Sequence, residues 1–362
     1  MAIFQPIIPL LLSKNNFIMK KCLIILSFCS FLFGHSIYSQ TTAVDRVQFF
    51  KDTSILNATI TCKMAELFRQ KNKPDTELPA NLSMDLTGSS ALNEPVSLQV
   101  RGHFRKDFCY VPPLKVLFKH EKSSGVKSFG ALKLVSECKT SDVNQQYLLK
   151  EFLIYKIYNL VTEMSFRVRL LNLNLVDSTG KKKTITEYAF LMEDIKDLAK
   201  RNKCTYWKVG KIDPRLTDDR QMATVAIFEY MIGNTDWGVS VNHNTRLLLS
   251  KIDSTHRPYV VPYDFDYAGF VNSDYAVPDE KLDIENVQQR LYRGFPIPIE
   301  IINDVVDIFK KQKDNIYALI SNFDLLTSRS KKDLTQYLDD FFKTISDPNQ
   351  VKSVFINNAR TN

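Results

Sequence analysis

"GNTDWGVSVNHNTRLL", Gly233–Leu248, and "YVVPYDFDYAGF", Tyr259–Phe270, decide how this chain is read. Each sets acids or amides against apolar residues dense enough to predict burial. Asp236, Asn242, Asn244, Asp264 and Asp266 therefore gather where a folded core disfavours them. A buried carboxylate is costly unless it is paired, hydrogen-bonded or bound to a cation. Either these groups lie at solvated strand ends, or they hold something charged.

Just before the first stretch, "TDDRQMATVAIFEYMIG" has helical spacing. Thr217 suits its N-cap, Asp218 and Asp219 its first turn, and Gly233 its stop. "TRLLLS" and "PYVVPYDF" predict a short hairpin bridged by residues 251–257. Two further helices follow, in "PIEIINDVVDIFKKQKDNIYALISNF" and "SKKDLTQYLDDFFKTI".

Toward the N-terminus the period changes to two. "PVSLQVRGHF" and "PLKVLFKH" alternate apolar and polar residues, "FGALKLVSEC" adds a short strand, and all three read as β. "NQQYLLKEFLIYKIYNLVTEM" returns to helical spacing, with an apolar stripe through Leu148, Phe152, Tyr155 and Leu160. "SFRVRLLNLNLVD" turns at "STGKKK" and comes back as "TITEYAFLMED", which makes a hairpin. In the polar segment 40–80 the pattern predicts one helical patch, "TITCKMAELFRQ", and "DIKDLAKRNK" predicts another short helix.

The first residues point to export. Lys20 and Lys21 precede the apolar run "CLIILSFCSFLFG" and then "HSIYSQ", the layout of a secretory signal peptide. Met19 is the expected start, residues 1–39 the signal, and the run is too short to span a bilayer comfortably. A secreted, periplasmic or cell-envelope protein follows, with no stable membrane span after cleavage. The whole chain carries 48 basic and 40 acidic residues; loss of the signal removes three lysines and no acids, leaving net +5. That mild excess, with no run of five or more like charges, argues against nucleic-acid partners.

Cys62, Cys109, Cys138 and Cys204 follow the signal, an even set that an oxidising compartment lets pair. Cys109 closes "FRKDFC" ahead of the "PPLKVLF" strand, and Cys138 ends the "ALKLVSEC" strand. If those strands are neighbours, a Cys109–Cys138 disulfide is expected, against an alternative of four free thiols.

Taken together, the order is a β-rich segment, 40–192, then a helical one, 193–362, with the polar constellation after a helix of the second. Protein kinases use this order, and it predicts an α+β, two-lobed protein-kinase-like fold. "VRGHF" with "PPLKVLF", "LKEFLIYKIYNL", "AFLMED", "GNTDW...HN" and "VPYDFDYAGF" resemble the spore coat protein H (CotH-type) kinase family over residues 96–270. The resemblance implies transfer of the ATP γ-phosphate to a Ser, Thr or Tyr hydroxyl of a protein, with Mg²⁺ or Mn²⁺. It makes Asp236 the catalytic Asp and Asp264 a metal ligand, with Asn242 or Asn244 as the second ligand and Asp266 beside them. Lys115 in its strand and Glu151 on the next helix would fix the phosphates, with Lys133 the competing lysine. Glu193 would stand at the adenine contact. Arg101 either faces the phosphates or is a solvated strand residue. His243 reads as a turn residue, Arg290 and Arg293 as helix-face ion pairs.

The chain departs from kinase motifs in several places. Five residues, not four, separate Asp236 from Asn242, no HRD precedes Asp236, and Asp264-Phe265-Asp266 replaces DFG. There is no G-x-G-x-x-G, for which "LTGSS" (Leu86–Ser90) is a poor substitute. Two other functions stay open: a catalytically inactive binding protein at the cell surface, and a two-carboxylate glycoside hydrolase, which would leave Lys115 and Glu151 without a role.

Overall fold

Alternation along the strands fills two cores at once. The computed structural model describes residues 46–73, 76–86, 92–102, 104–118 and 129–361. The expected signal segment with Met19, and most of "LTGSS", lie outside the described residues. A short helix α1 (Arg46–Lys51) leads into β1 (Leu56–Cys62), and α2 (Met64–Arg69) into β2 (Glu77–Met84) and β3 (Leu92–Val100). After α3 (Phe104–Phe108) come β4 (Leu114–Leu117), β5 (Ala131–Ser136) and the long helix α4 (Asp142–Val161), then β6 (Val168–Asp177) and β7 (Ile185–Met192).

These seven strands close on themselves in the order β1-β2-β3-β4-β5-β7-β6. All neighbours are antiparallel except the closing pair, where β1 runs parallel to β6 with Leu56 opposite Leu171. One parity points inward: Leu56, Ile60, Leu98, Val116, Leu134, Leu173 and Leu191 belong to one buried apolar cluster. Each such side chain contributes roughly 1.5–3 kcal/mol on burial. The opposite parity of the last strands, Val135, Val168, Leu170, Phe190 and Met192, packs outward into a second cluster. That cluster contains Leu149, Leu153 and Ile157 of α4.

The second cluster also takes in the C-terminal half. After α5 (Ile195–Arg201) and β8 (Cys204–Trp207) comes α6 (Asp219–Ile232), then β9 (Thr245–Ser250) and β10 (Tyr259–Pro262). The strands β10-β9-β8 form a small antiparallel sheet. The helices α7 (Ile299–Ser321) and α8 (Ser328–Ser346) follow. Phe228, Phe265, Phe309 and Phe341 are all fully buried in the same cluster as Phe190.

The two-lobed, kinase-like arrangement is therefore corrected. The N-terminal strands form a closed barrel rather than a lobe with an open sheet, and one apolar core takes side chains from both sides of residue 193. Residues 42–362 make one compact unit. The closure comes from β1 and β2, neither of which is among the strands expected from the sequence. "TITC" lies in β1 and only the remainder of its supposed helical patch is α2. None of the described helices is long and apolar enough to cross a membrane.

Several local expectations hold. The 165–194 hairpin, the β9–β10 hairpin and the two C-terminal helices are present. β4 and β5 are neighbours, and Cys109 and Cys138 are disulfide-bonded. Cys62 and Cys204 are buried free thiols. The cap of α6 is Asp218, not Thr217: its carboxylate accepts from the Gln221 amide at 2.7 Å, whereas Thr217 donates to the Pro214 carbonyl.

One carboxyl sits at an unfavourable position in the barrel. Glu187 shares the parity of Ala189 and Leu191, and its Oε1 has no hydrogen-bond partner. Burial, followed by the charge of Glu137, pushes its carboxyl up to about 8. A carboxyl with a higher pKa folded than unfolded loses stability as pH climbs between the two values. Glu187→Gln should thus change little near pH 4 and stabilise increasingly toward pH 8, by at most about 1.4 kcal/mol per pH unit. Urea unfolding at pH 5 and pH 8 checks this; an equal gain at both refutes it.

Candidate functional site

Backbone geometry places the first acid. Helix α6 ends at Gly233, whose φ of 66° is left-handed and where a Cβ would run into the Tyr337 hydroxyl. The Asn234 side chain then accepts from the Asp236 amide at 3.0 Å, and Arg293 donates to the Thr235 carbonyl. The chain folds back through a bridge between Gly238 and His243. Asn242 and Asn244 both have positive φ, 53° and 50°, a region that asparagine tolerates better than most residues.

Of Asn242 and Asn244, this turn brings only the second to Asp236. Asn244 Nδ2 donates to Asp236 Oδ2 at 3.0 Å and to its carbonyl at 2.8 Å, and His243 Nε2 lies 2.8 Å from Oδ1. Asn242 is exposed and its amide is directed to the Val209 carbonyl. Asp236 and His243 line a cavity of about 380 Å³, together with Trp237, Tyr267, Val277 and Arg293.

The second stretch joins the first at the end of β10, where the Tyr263 amide donates to the Asn244 carbonyl. Asp264 follows with φ 70°, a strained conformation for a non-glycine residue, and its amide donates to the Tyr155 hydroxyl of α4 at 2.9 Å. Such strain persists only where the surroundings over-determine it. Phe265 anchors the segment in the core, and Asp266 is 6% exposed. Tyr275 donates to Asp266 Oδ2 at 3.2 Å.

Positive charge meets these acids from the barrel. Arg105 of α3 lies 3.7 Å from Asp266 and 3.9 Å from Glu151, while its Nη2 donates to the Ser136 carbonyl. Burial raises the carboxyls of Glu151 and Asp266, and each also feels the other acids while Arg105 opposes the shift. Arg101 is held by the Leu114 carbonyl at 3.2 Å; burial lowers its pKa and the charge of Asp264 works against that. Lys133 stands directly opposite Lys115 across the β4–β5 pair. Burial, and then the charge of Arg101, bring the Lys133 ammonium down to about 7, while Asp264 opposes. Its Nζ lies 4.1 Å from the ring centre of Tyr263, which Arg246 also covers at 4.3 Å.

Asp236, Asn244, Asp264, Asp266, Arg101, Glu151 and the Lys115–Lys133 pair thus belong to one neighbourhood. Glu151 is only 2% exposed, and its ion-pair partner is Arg105 rather than Lys115. Glu193 is engaged elsewhere: Arg201 and the Arg167 amide hold its carboxylate, and its own amide donates to the Arg167 carbonyl. Arg290 and Arg293 bond backbone carbonyls rather than helix-face acids. Sequence reasoning missed Arg105 and Tyr155. The disulfide was the available signal for Arg105, since it fixes the end of the short helix that carries it.

Among the described residues no group of three or more His, Cys, Asp or Glu side chains stands in a metal-holding arrangement. Mg²⁺ is commonly bound by one or two carboxylates plus substrate phosphates, a smaller requirement of the protein. Asp264 and Asp266 fit it as hard oxygen donors: they are mutually repelling acids, and Asp266 is buried. No protein-family model matches the chain, and no curated protein matches it.

Proposed function

We propose that this protein is an exported, metal-dependent phosphotransferase with CotH-type chemistry, moving the ATP γ-phosphate to a protein hydroxyl. The observation that carries the reading is the meeting of Asp236, Asn244, Asp264 and Asp266 with Arg101, Lys133 and Lys115. Phosphoryl transfer needs little covalent chemistry from a protein and depends on positioning and charge neutralisation. Arg101 and Lys133, with Lys115 alongside, are the groups to meet phosphate oxygens. Asp264 and Asp266, with Asn244 adjacent, are the donors to hold Mg²⁺ or Mn²⁺, which supplies neutralisation of phosphate charge. Asp236, steadied by Asn244 and His243, orients the acceptor hydroxyl in the adjoining cavity and takes its proton. The Cys109–Cys138 disulfide supports an oxidising compartment.

One observation favours a second reading, a catalytically inactive nucleotide-binding protein at the cell surface. Both carboxylate oxygens of Asp236 already have hydrogen-bond partners. Radiolabelled ATP with Mg²⁺ or Mn²⁺ and protein acceptors separates the two. Label transfer is expected for the enzyme; nucleotide-dependent thermal stabilisation without transfer marks the binding protein. No stabilisation with either metal excludes both.

A further inference from the structure

Away from these acids, three segments direct positive charge to a second cavity, of about 160 Å³. Lys51 ends α1, Lys156 and Asn159 lie three residues apart on α4, and Ser165 and Arg167 lead into β6. Glu163, also in the lining, is already shared by Arg167 and Arg201, each at 3.0 Å. Asn159 is committed as well, donating to Ser165 Oγ and the Phe166 carbonyl. The Lys156 side chain makes no hydrogen bond, ion pair or ring contact among the described residues. The Nη1 of Arg167 is buried without a hydrogen-bond partner. Burial, and then the charges of Arg167 and Arg169, hold the Lys156 ammonium below its ordinary range.

A half-buried cation facing other cations without a counter-ion is costly, and an arginine N–H buried without an acceptor adds to that cost. An anion in the cavity removes the first penalty: it gives Lys156 a counter-charge, in charge-assisted bonds that are stronger than neutral ones. Three cations against one acid already shared by two arginines suit a doubly charged oxyanion better than a single carboxylate. We infer that this cavity is a phosphate-type oxyanion site, formed by Lys51, Lys156 and Arg167. It is independent of the proposed transfer chemistry, since none of its residues belongs to that site.

The test is thermal unfolding of the purified protein in inorganic phosphate against chloride at matched ionic strength. O-phosphoserine and acetate serve as further arms. Phosphate at several times its dissociation constant should raise Tm by roughly 2–4 °C over chloride. Lys156→Met should lose that rise while keeping or raising the Tm in chloride, because it removes an uncompensated charge and retains the stem. Lys51→Ala, at an exposed position, should weaken the response without changing the fold. A response to phosphoserine identifies a phosphorylated group as an admissible occupant; a response to inorganic phosphate alone identifies the free anion. An equal rise in Lys156→Met, no rise in the wild type, or a rise in acetate as large as in phosphate overturns the inference.

Discussion

Asp264→Asn should abolish ATP-dependent stabilisation and phosphate transfer together, whereas Asp236→Ala should keep the first and lose the second. Asp264 belongs with the groups proposed to hold the ion and the phosphates, so its removal weakens binding itself. Asn is the right replacement, because it tolerates the positive φ of 70° that Ala would adopt only with strain. Asp236 lines the cavity proposed to take the acceptor, and on that proposal it acts on the hydroxyl, not on ATP. Loss of a positioned base commonly costs about 10²–10⁴-fold in rate. Thermal-shift titration of ATP with Mg²⁺ reads binding, and label transfer reads chemistry. If Asp264→Asn binds Mg·ATP as the wild type does, the assignment of the ion to that end of β10 is wrong.

The largest expected stability effect lies between the two acids. Phe265 is fully buried, with ring centres 4.8 Å from Tyr155 and 5.7 Å from Phe228. Truncating such a ring costs about 3–5 kcal/mol through lost transfer energy and the cavity left behind. Phe265→Ala should lower Tm by roughly 10 °C on the usual scaling for larger chains. Because the same ring fixes the segment carrying Asp264 and Asp266, nucleotide-dependent stabilisation should also weaken below the new Tm. Phe265→Leu should lose less of both. A Phe265→Ala protein with unchanged Tm would show that the ring is not an anchor.

Much of the candidate site's grouping was legible because its signals are local. Asp236, Asn244, Asp264 and Asp266 each stand at a turn or strand end that the neighbouring apolar residues define, and a glycine marks where α6 stops. What could not be read depends on contacts distant in sequence. Glu151 has the burial expected of a site residue, yet its partner Arg105 comes from a five-residue helix without periodicity of its own. The choice between Asn242 and Asn244 turns on one bridge, Gly238 to His243, which no spacing rule anticipates. The barrel was missed for a similar reason. β2 contains Pro79, which weakens its strand signal. β1, Leu-Asn-Ala-Thr-Ile-Thr-Cys, does alternate apolar and polar residues, but it runs directly into α2, and its end reads with that helix as one helical patch.

The pairing of β1 with β6 governs the order in which the chain can be made and folded. The closing seam joins residues 115 positions apart, as in Leu56 with Leu171 and Cys62 with Asp177. At ribosomal speeds of about 5–20 residues per second, β1 emerges roughly 6–23 s before its partner exists. Throughout that interval one edge of β1 presents unpaired amides and carbonyls beside Leu56 and Ile60, the kind of edge that recruits other chains. Loop closure over such a distance is also slow, because its entropy must be lost before the contacts form. Nascent chains truncated before residue 168 should therefore aggregate or hold a chaperone, while those extending past residue 192 have every strand needed to close the barrel.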